Sequence, residues 1–276
     1  IKSGDLLLII QMQDATINSS NSNLYGAGIT NSGLDGFGGT GYTSLGNTGL
    51  FEYVVATNDV PLTGGTLTFR GAGVGGGVVN TYYNIDFDPN IGTNSIRGQR
   101  TFQVVRVPQY SNVRLTANIA APPFNGKVGG IIAFDVAGTM DFNGKTIDAS
   151  ARGFRGGFAI QDLGGGSIND LYVGISTDQR ITGKGEGIVG SPKFLWDGFL
   201  QVTNPLEGLP IGSRGRGAPG NGGGGGNDHN SGGGGGGNGG EGGMGGNGYT
   251  LPGFTNTYPS GGRPGSKTYA ASPTVT

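Results

Sequence analysis

The residues able to do chemistry are few and badly placed for it. His229 is the only histidine and there is no cysteine. Metal sites built on paired histidines, zinc–thiolate sites, thiol catalysis and disulfides are therefore excluded together. His229 lies in Asn227-Asp228-His229-Asn230-Ser231, between two glycine runs. A serine–histidine–aspartate triad needs its imidazole held by a rigid scaffold, and these neighbours predict a turn. Asp135, Asp141, Asp148, Asp162 and Glu186 are carboxylates that could pair for sugar hydrolysis on a β-scaffold. Each also reads as the polar member of an alternating strand. The glycine-rich stretch 71–77 lacks the Lys-Ser/Thr ending of a phosphate loop. Oxygen ligands cluster at 227–230 and at Asp86-Phe87-Asp88, but no spacing matches a calcium loop. The chain is expected not to be an enzyme and to carry no cofactor or metal.

The elements that would position such groups are dominated by glycine. The 276 residues include 63 glycines and 13 prolines, a bias that verges on low complexity. Its extreme is the stretch 214–249. There Asn238, Glu241, Met244 and Asn247 recur at a step of three, the period of a left-handed polyproline-II helix. That geometry puts the four side chains in one outward row and leaves two bare glycine edges for close chain packing. Asn227, Asp228, His229 and Asn230 are then predicted to form the turn between two glycine helices. A flexible linker is the competing reading.

The rest of the chain can build a core, with 13 phenylalanines and 10 tyrosines. The run GDLLLIIQMQ is predicted to be a strand buried on both faces. Its apolar centre is Leu6, Leu7, Leu8, Ile9 and Ile10. This is the candidate assembly strand, either completing its own sheet or exchanged into a neighbour's. From residue 51 to 119 apolar residues alternate, as in Phe51, Tyr53 and Val55, or Val113, Leu115, Ala117 and Ile119. Period two predicts antiparallel strands with one wet face. Residues 129–157 switch to short strands with glycine corners, and Asn143-Gly144 signals a tight turn. Such a stretch fits a hairpin or the coils of a solenoid. No stripe of helical period is present. The predicted fold is all-β: an antiparallel sandwich or solenoid-like body over residues 1–150, and a region of packed polyglycine-II segments over residues 151–276, with almost no α-helix.

The run GDLLLIIQMQDATI, then QRTFQVVRVPQYSNV, GGIIAFDVAGTMDFNGKTIDASARGFRGG, GKGEGI and RGRGAPGNGGGGG resembles a glycine-rich module of large exported bacterial surface proteins of uncharacterised function. The resemblance covers about residues 4–248. It implies export, an extracellular or cell-surface location and a structural or adhesive role, and brings no catalytic residue with it. The glycine tract is also similar in composition to the polyglycine-helix bundles of phage tail-tip adhesins. The chain starts at Ile1-Lys2-Ser3-Gly4 without methionine and is expected to be a processed piece whose signal peptide has been removed.

Charged residues make up only 13% of the chain and the net charge is −1. Nothing drives such a surface towards nucleic acid or anionic lipid. No apolar run reaches the roughly 18 residues that span a bilayer. Two functions remain. One is a structural subunit of an extracellular filament or surface matrix whose partner is itself. The other is an adhesin for glycans or surface proteins, presenting Tyr42, Tyr82, Tyr249 and Tyr258 for stacking on sugars.

Overall fold

The computed structural model describes residues 1–26, 41–86, 98–160, 171–175, 181–196, 201–203, 207–228, 230–237, 241–248 and 261–265. Among them there is no α-helix, and the regular elements are thirteen β-strands and one short 3-10 turn at Val74–Gly76. The chain divides into two units, but not at residue 150 alone. Unit 1 comprises Ile1–Met12, Gly49–Tyr83 and Thr101–Gly153, and unit 2 comprises Gln13–Thr48, Asn84–Arg100 and Phe154–Thr276. The last change of unit along the chain falls between Gly153 and Phe154. Segments 13–48 and 84–100, expected in the first body, belong instead with the glycine-rich unit.

Unit 1 is built on a sheet of four strands: β1 (Leu6–Gln13), β2 (Phe51–Ala56), β3 (Phe69–Arg70) and β4 (Thr101–Val107), in the order β3-β2-β1-β4. β1 and β2 are antiparallel, with Leu6 opposite Val55, Leu8 opposite Tyr53 and Ile10 opposite Phe51. Because side chains alternate across a strand, Leu7, Ile9, Val54 and Ala56 share the other face. They form its buried core with Phe69, Phe102 and Val104 packed against them. The core thus takes the members of β2 that the alternation pattern had left out, and Phe51, Tyr53 and Val55 lie on the open face.

β1 ends in buried glutamines. Gln11 donates through its amide to the carbonyls of Tyr83 and Thr101 and accepts from the Tyr83 N–H. Across the sheet, Gln103 both accepts from and donates to the backbone of Gly129. These amides act as portable backbone groups where the chain turns away from the ladder.

Beyond β4 the pairing changes character. The short strands β5 (Gln109–Tyr110), β6 (Val113–Arg114) and β7 (Ile119–Ala120) form one turn of chain. β8 (Asp135–Val136), β9 (Met140–Asp141) and β10 (Ile147–Asp148) form the next. The two turns stack in parallel, β5 on β8, β6 on β9 and β7 on β10. Asn112 and Asn118 extend the ladder between strands by accepting the N–H of Thr139 and Thr146 at 2.8 and 3.1 Å. Residues 113–119 therefore belong to a stacked coil and not to an antiparallel meander. Asn143 and Gly144 do make the tight turn, both with positive φ and with the Lys145 N–H on the Phe142 carbonyl. The strands on either side of it nevertheless pair with the earlier turn of chain and not with each other.

Unit 2 has a small sheet of β11 (Gly156–Gly157), β12 (Phe194–Trp196) and β13 (Gln201–Thr203). Its core gathers Ala15, Ile17, Tyr25, Val173, Ile188, Val189 and Leu209. Most of its main-chain bonding is outside any strand. The N–H groups of Gly232 and Gly235 bond to the carbonyls of Gly246 and Gly243, and those of Gly234 and Gly237 to the carbonyls of Gly224 and Asn221. Gly262 and Gly265 donate to Gly232 and Gly235, and Gly242 and Gly245 donate to Gly265 and Gly262. Donors three residues apart meet acceptors three residues apart, between extended segments of both directions.

Two predictions follow from this packing. A Cβ at Gly234 would run into the backbone carbonyl of Arg263, whereas one at Gly246 would meet nothing within 4 Å. Gly234→Ala is expected to cost about 1–3 kcal/mol by overpacking. Gly246→Ala is expected to be neutral or to gain about 0.4–1 kcal/mol from a stiffer unfolded chain, both read by thermal denaturation. In unit 1 the Glu52 carboxylate accepts the N–H of Val79 and Asn80 and the hydroxyl of Tyr82. Partial burial opposes its ionisation, but these donors hold it below the usual glutamate range. Its contribution is complete at neutral pH and is lost as pH falls through that lowered value. Glu52→Gln should flatten the acid limb of the stability curve.

Candidate functional site

The open face of the unit 1 sheet is the most exposed apolar surface that the fold builds on regular strands. Phe51, Tyr53 and Val55 are 40%, 51% and 42% exposed. The Phe51 and Tyr53 rings meet edge to face at 6.2 Å. Half-buried Leu6 and Ile10 and buried Leu8 complete the face. It opens onto a groove of about 880 Å³, closed on its other side by Ile131, Ile132, Ala133, Phe134 and Ile147. The same 131–134 segment also walls a second groove of about 650 Å³ with Tyr110, Val113, Leu115 and Ile119. Ordinary proteins close such space with side chains. Here the chain supplies a trough lined mostly by aliphatic and aromatic groups, with the capacity to bind apolar surface.

The candidate assembly strand, Leu6 to Ile10, lies inside this sheet with β2 on one side and β4 on the other. Its main-chain groups are occupied within its own chain, so it offers an apolar face and not a free edge. Of the four tyrosines expected to stack on sugars, the two among the described residues are used elsewhere. Tyr82 packs on Phe102 and donates to Glu52, and partial burial pushes its phenol up to about 12. Tyr42 packs on the core of unit 2. Tyr249 and Tyr258 lie outside the described residues.

In unit 2, Glu241, Met244 and Asn247 are all exposed, while Gly245 and Gly248 are buried; Asn238 lies outside the described residues. The chain reverses at 228–231, where Ser231 N–H bonds the Asp228 carbonyl and Asn230 has a φ of 57°. Asn227 is buried and donates to the Leu171 carbonyl. His229 lies outside the described residues.

What the sequence reading missed is the interior of unit 2. Lys184 is fully buried. Its Nζ donates to the carbonyls of Tyr172, Gly215 and Gly217 at 2.6, 3.0 and 2.5 Å and sits 4.1 Å from the centre of the Tyr25 ring. Burial drives its pKa well below the ordinary lysine value. Three acceptors nevertheless require three donors, which only the ammonium form provides. Two residues on, Glu186 takes a two-pronged ion pair from Arg155 and a hydrogen bond from Ser191. Arg216 and Arg263 both lie over Tyr172, at 5.6 and 4.7 Å. The signal in the sequence is the alternation Gly183-Lys184-Gly185-Glu186-Gly187, in which each charge is flanked by residues that leave room for close backbone.

These charges hold glycine segments together. Ser191 and Ser213 donate to Glu186 and Glu207, and burial raises Glu207. Neither pair lines either groove. Among the described residues no three histidine, aspartate or glutamate side chains gather as a metal would require. No helix among them is long and apolar enough to cross a membrane. Comparison with protein-family models, with curated proteins and with solved structures finds no match to this chain.

Lys184→Met should leave the buried Gly217 carbonyl without its donor, at about 1–3 kcal/mol, and strip a second donor from the carbonyls of Tyr172 and Gly215, which keep the N–H groups of Gly217 and Gly225. Against a typical total of about 5–15 kcal/mol, the melting temperature is expected to drop steeply. A melting curve matching that of the unchanged protein would show that Lys184 does not organise unit 2.

Proposed function

We propose that the chain is a structural subunit of an extracellular bacterial filament or surface matrix, assembling with copies of itself through β-strand and glycine-rich contacts. The observation that carries this reading is the sheet of unit 1, whose second face, bearing Phe51, Tyr53 and Val55, is only partly covered by its own chain. Large apolar patches on a folded protein mark surfaces meant to be covered. The low charge of the chain removes the repulsion that would keep copies apart.

The reading extends to the glycine-rich unit as a packed bundle of polyglycine-II helices. Donors and acceptors spaced by three support it, as does the absence of positive φ at the described glycines from 222 to 248. The body of unit 1 is read as solenoid-like on the strength of its three parallel ladders.

The second reading, an adhesin for glycans or surface proteins, is supported by the Phe51–Tyr53 ring pair, which is exposed and could stack on a sugar face. Electron microscopy of negatively stained protein over a concentration series separates the two. The filament reading expects regular fibres. Tyr53→Glu should raise the concentration at which they form by tenfold or more, since burial of such a ring is worth about 1.5–3 kcal/mol and each 1.4 kcal/mol is about a factor of ten. Monodisperse monomers at every concentration, together with hits on a glycan array that Tyr53→Glu removes, would overturn it in favour of the adhesin.

A further inference from the structure

The stacked turns of unit 1 leave a second feature that the sheet face does not explain. The three parallel ladders contain two strands each. Among the described residues all six strands therefore have a partner on one side only. In the lower turn the N–H groups of Val113, Leu115, Ile119 and Ala121 point at the upper turn, where they meet the carbonyls of Thr139, Asp141, Thr146 and Asp148. In the upper turn Asp135 and Ala137 point back, at the carbonyls of Pro108 and Tyr110. Alternate residues of a parallel strand direct their N–H to opposite sides. Gln109, Arg114 and Ala120 thus face outward from the lower turn, and Val136, Met140 and Ile147 outward from the upper one.

Open strand edges are usually blunted by charge, proline or cover. Here the residues inside the coil are apolar and incompletely covered. Val113, Ile119, Met140 and Ile147 are half-buried, and the 650 Å³ groove runs along the interior of the lower turn. The charges are divided between the turns. Residues 108–121 carry one charged side chain, Arg114, and residues 135–148 carry Asp135, Asp141 and Asp148 against Lys145. Within the chain this division already sets register, with Arg114 3.2 Å from Asp141 and Gln109 3.3 Å from Asp135.

We propose that the upper turn of one copy, residues 135–148, receives the lower turn of a second copy, residues 109–120, repeating between molecules the stacking seen within one. This rests on the filament reading and names its interface. Arg114 of the incoming copy comes over Asp141 of the first, on the side opposite its own Arg114. The outward N–H groups of one turn reach the outward carbonyls of the other. The two contact surfaces are different, so the contact is head to tail and does not close on itself in pairs. Repetition gives an open filament. The ion pair contributes little energy because both side chains are exposed. Its role is to select register, while main-chain bonds and closure of the apolar coil supply affinity.

Two measurements test this. The first is amide hydrogen exchange on the unmodified chain, dilute and assembled. The amides of Arg114, Ala120, Val136, Met140 and Ile147 are expected to exchange at least tenfold more slowly in the assembled state. The second uses two blocked variants, Arg114→Pro and Met140→Pro, each of which removes an outward N–H and no bond of the internal ladder. Each alone should stay at the monomer mass of 27.8 kDa, and an equimolar mixture should give a species of twice that mass and nothing larger. Fibres that form with protection confined to other surfaces would overturn the stacking interface and leave the filament reading standing. No assembly of the unmodified chain at any concentration would overturn both. Should either variant fail to fold, the exchange measurement decides alone.

Discussion

Main-chain hydrogen bonding between segments far apart in sequence is the interaction on which this structure depends. A chain so rich in glycine has little side-chain surface to bury, and apolar burial is what usually offsets the loss of conformational freedom. The protein compensates by letting backbones approach until N–H meets C=O directly. In unit 2 this happens between extended segments that belong to no sheet, as at Gly232 with Gly246 and Gly185 with Gly223. In unit 1 it happens between successive turns of chain, with Asn112 and Asn118 filling places where the ladder would lapse.

Buried charge follows from the same constraint. Where glycine segments converge their carbonyls crowd together, some already bonded to a main-chain N–H, as Tyr172 is to Gly217 and Gly215 to Gly225. Lys184 satisfies three of them with one ammonium, and Tyr25 covers it with an aromatic face. Such a group would be costly in an apolar core. Here it replaces several weaker contacts and fixes how segments around Tyr172, Gly215 and Gly217 meet. The glutamines of unit 1 do similar work without charge, since Gln11 and Gln103 extend the reach of the backbone.

The fold of unit 1 is finished along some directions and not others. The four-stranded sheet buries Leu7, Ile9, Val54 and Ala56 on one face and leaves Phe51, Tyr53 and Val55 open on the other. The stacked turns satisfy one edge of each strand. A self-contained protein would cap both. Under the filament reading proposed above, both places have a common use, which is contact with more protein.

By itself the sequence determined the class of structure. The absence of any stripe of helical period, the strand run at Leu6 to Ile10, the tight turn at Asn143-Gly144 and the glycine bias are local properties, and local chemistry decides them. The step of three in the glycine tract was also legible, because it depends on which residues lack a Cβ. What only the tertiary structure decided was pairing. Alternation at 51–55 pointed to the wrong face, because Phe51, Tyr53 and Val55 are the more apolar set, while the covered set, Glu52, Val54 and Ala56, includes a carboxylate whose partners Val79, Asn80 and Tyr82 lie far along the chain. The pattern at 113–119 could not distinguish an antiparallel neighbour from the next turn of a coil, since both bury alternate side chains. Lys184 read as one charge among glycines, and its role emerged only when chain from residues 172, 215 and 217 converged on it. Partners that lie dozens of residues away leave no local trace, and it is they that turn a glycine-rich string into defined surfaces.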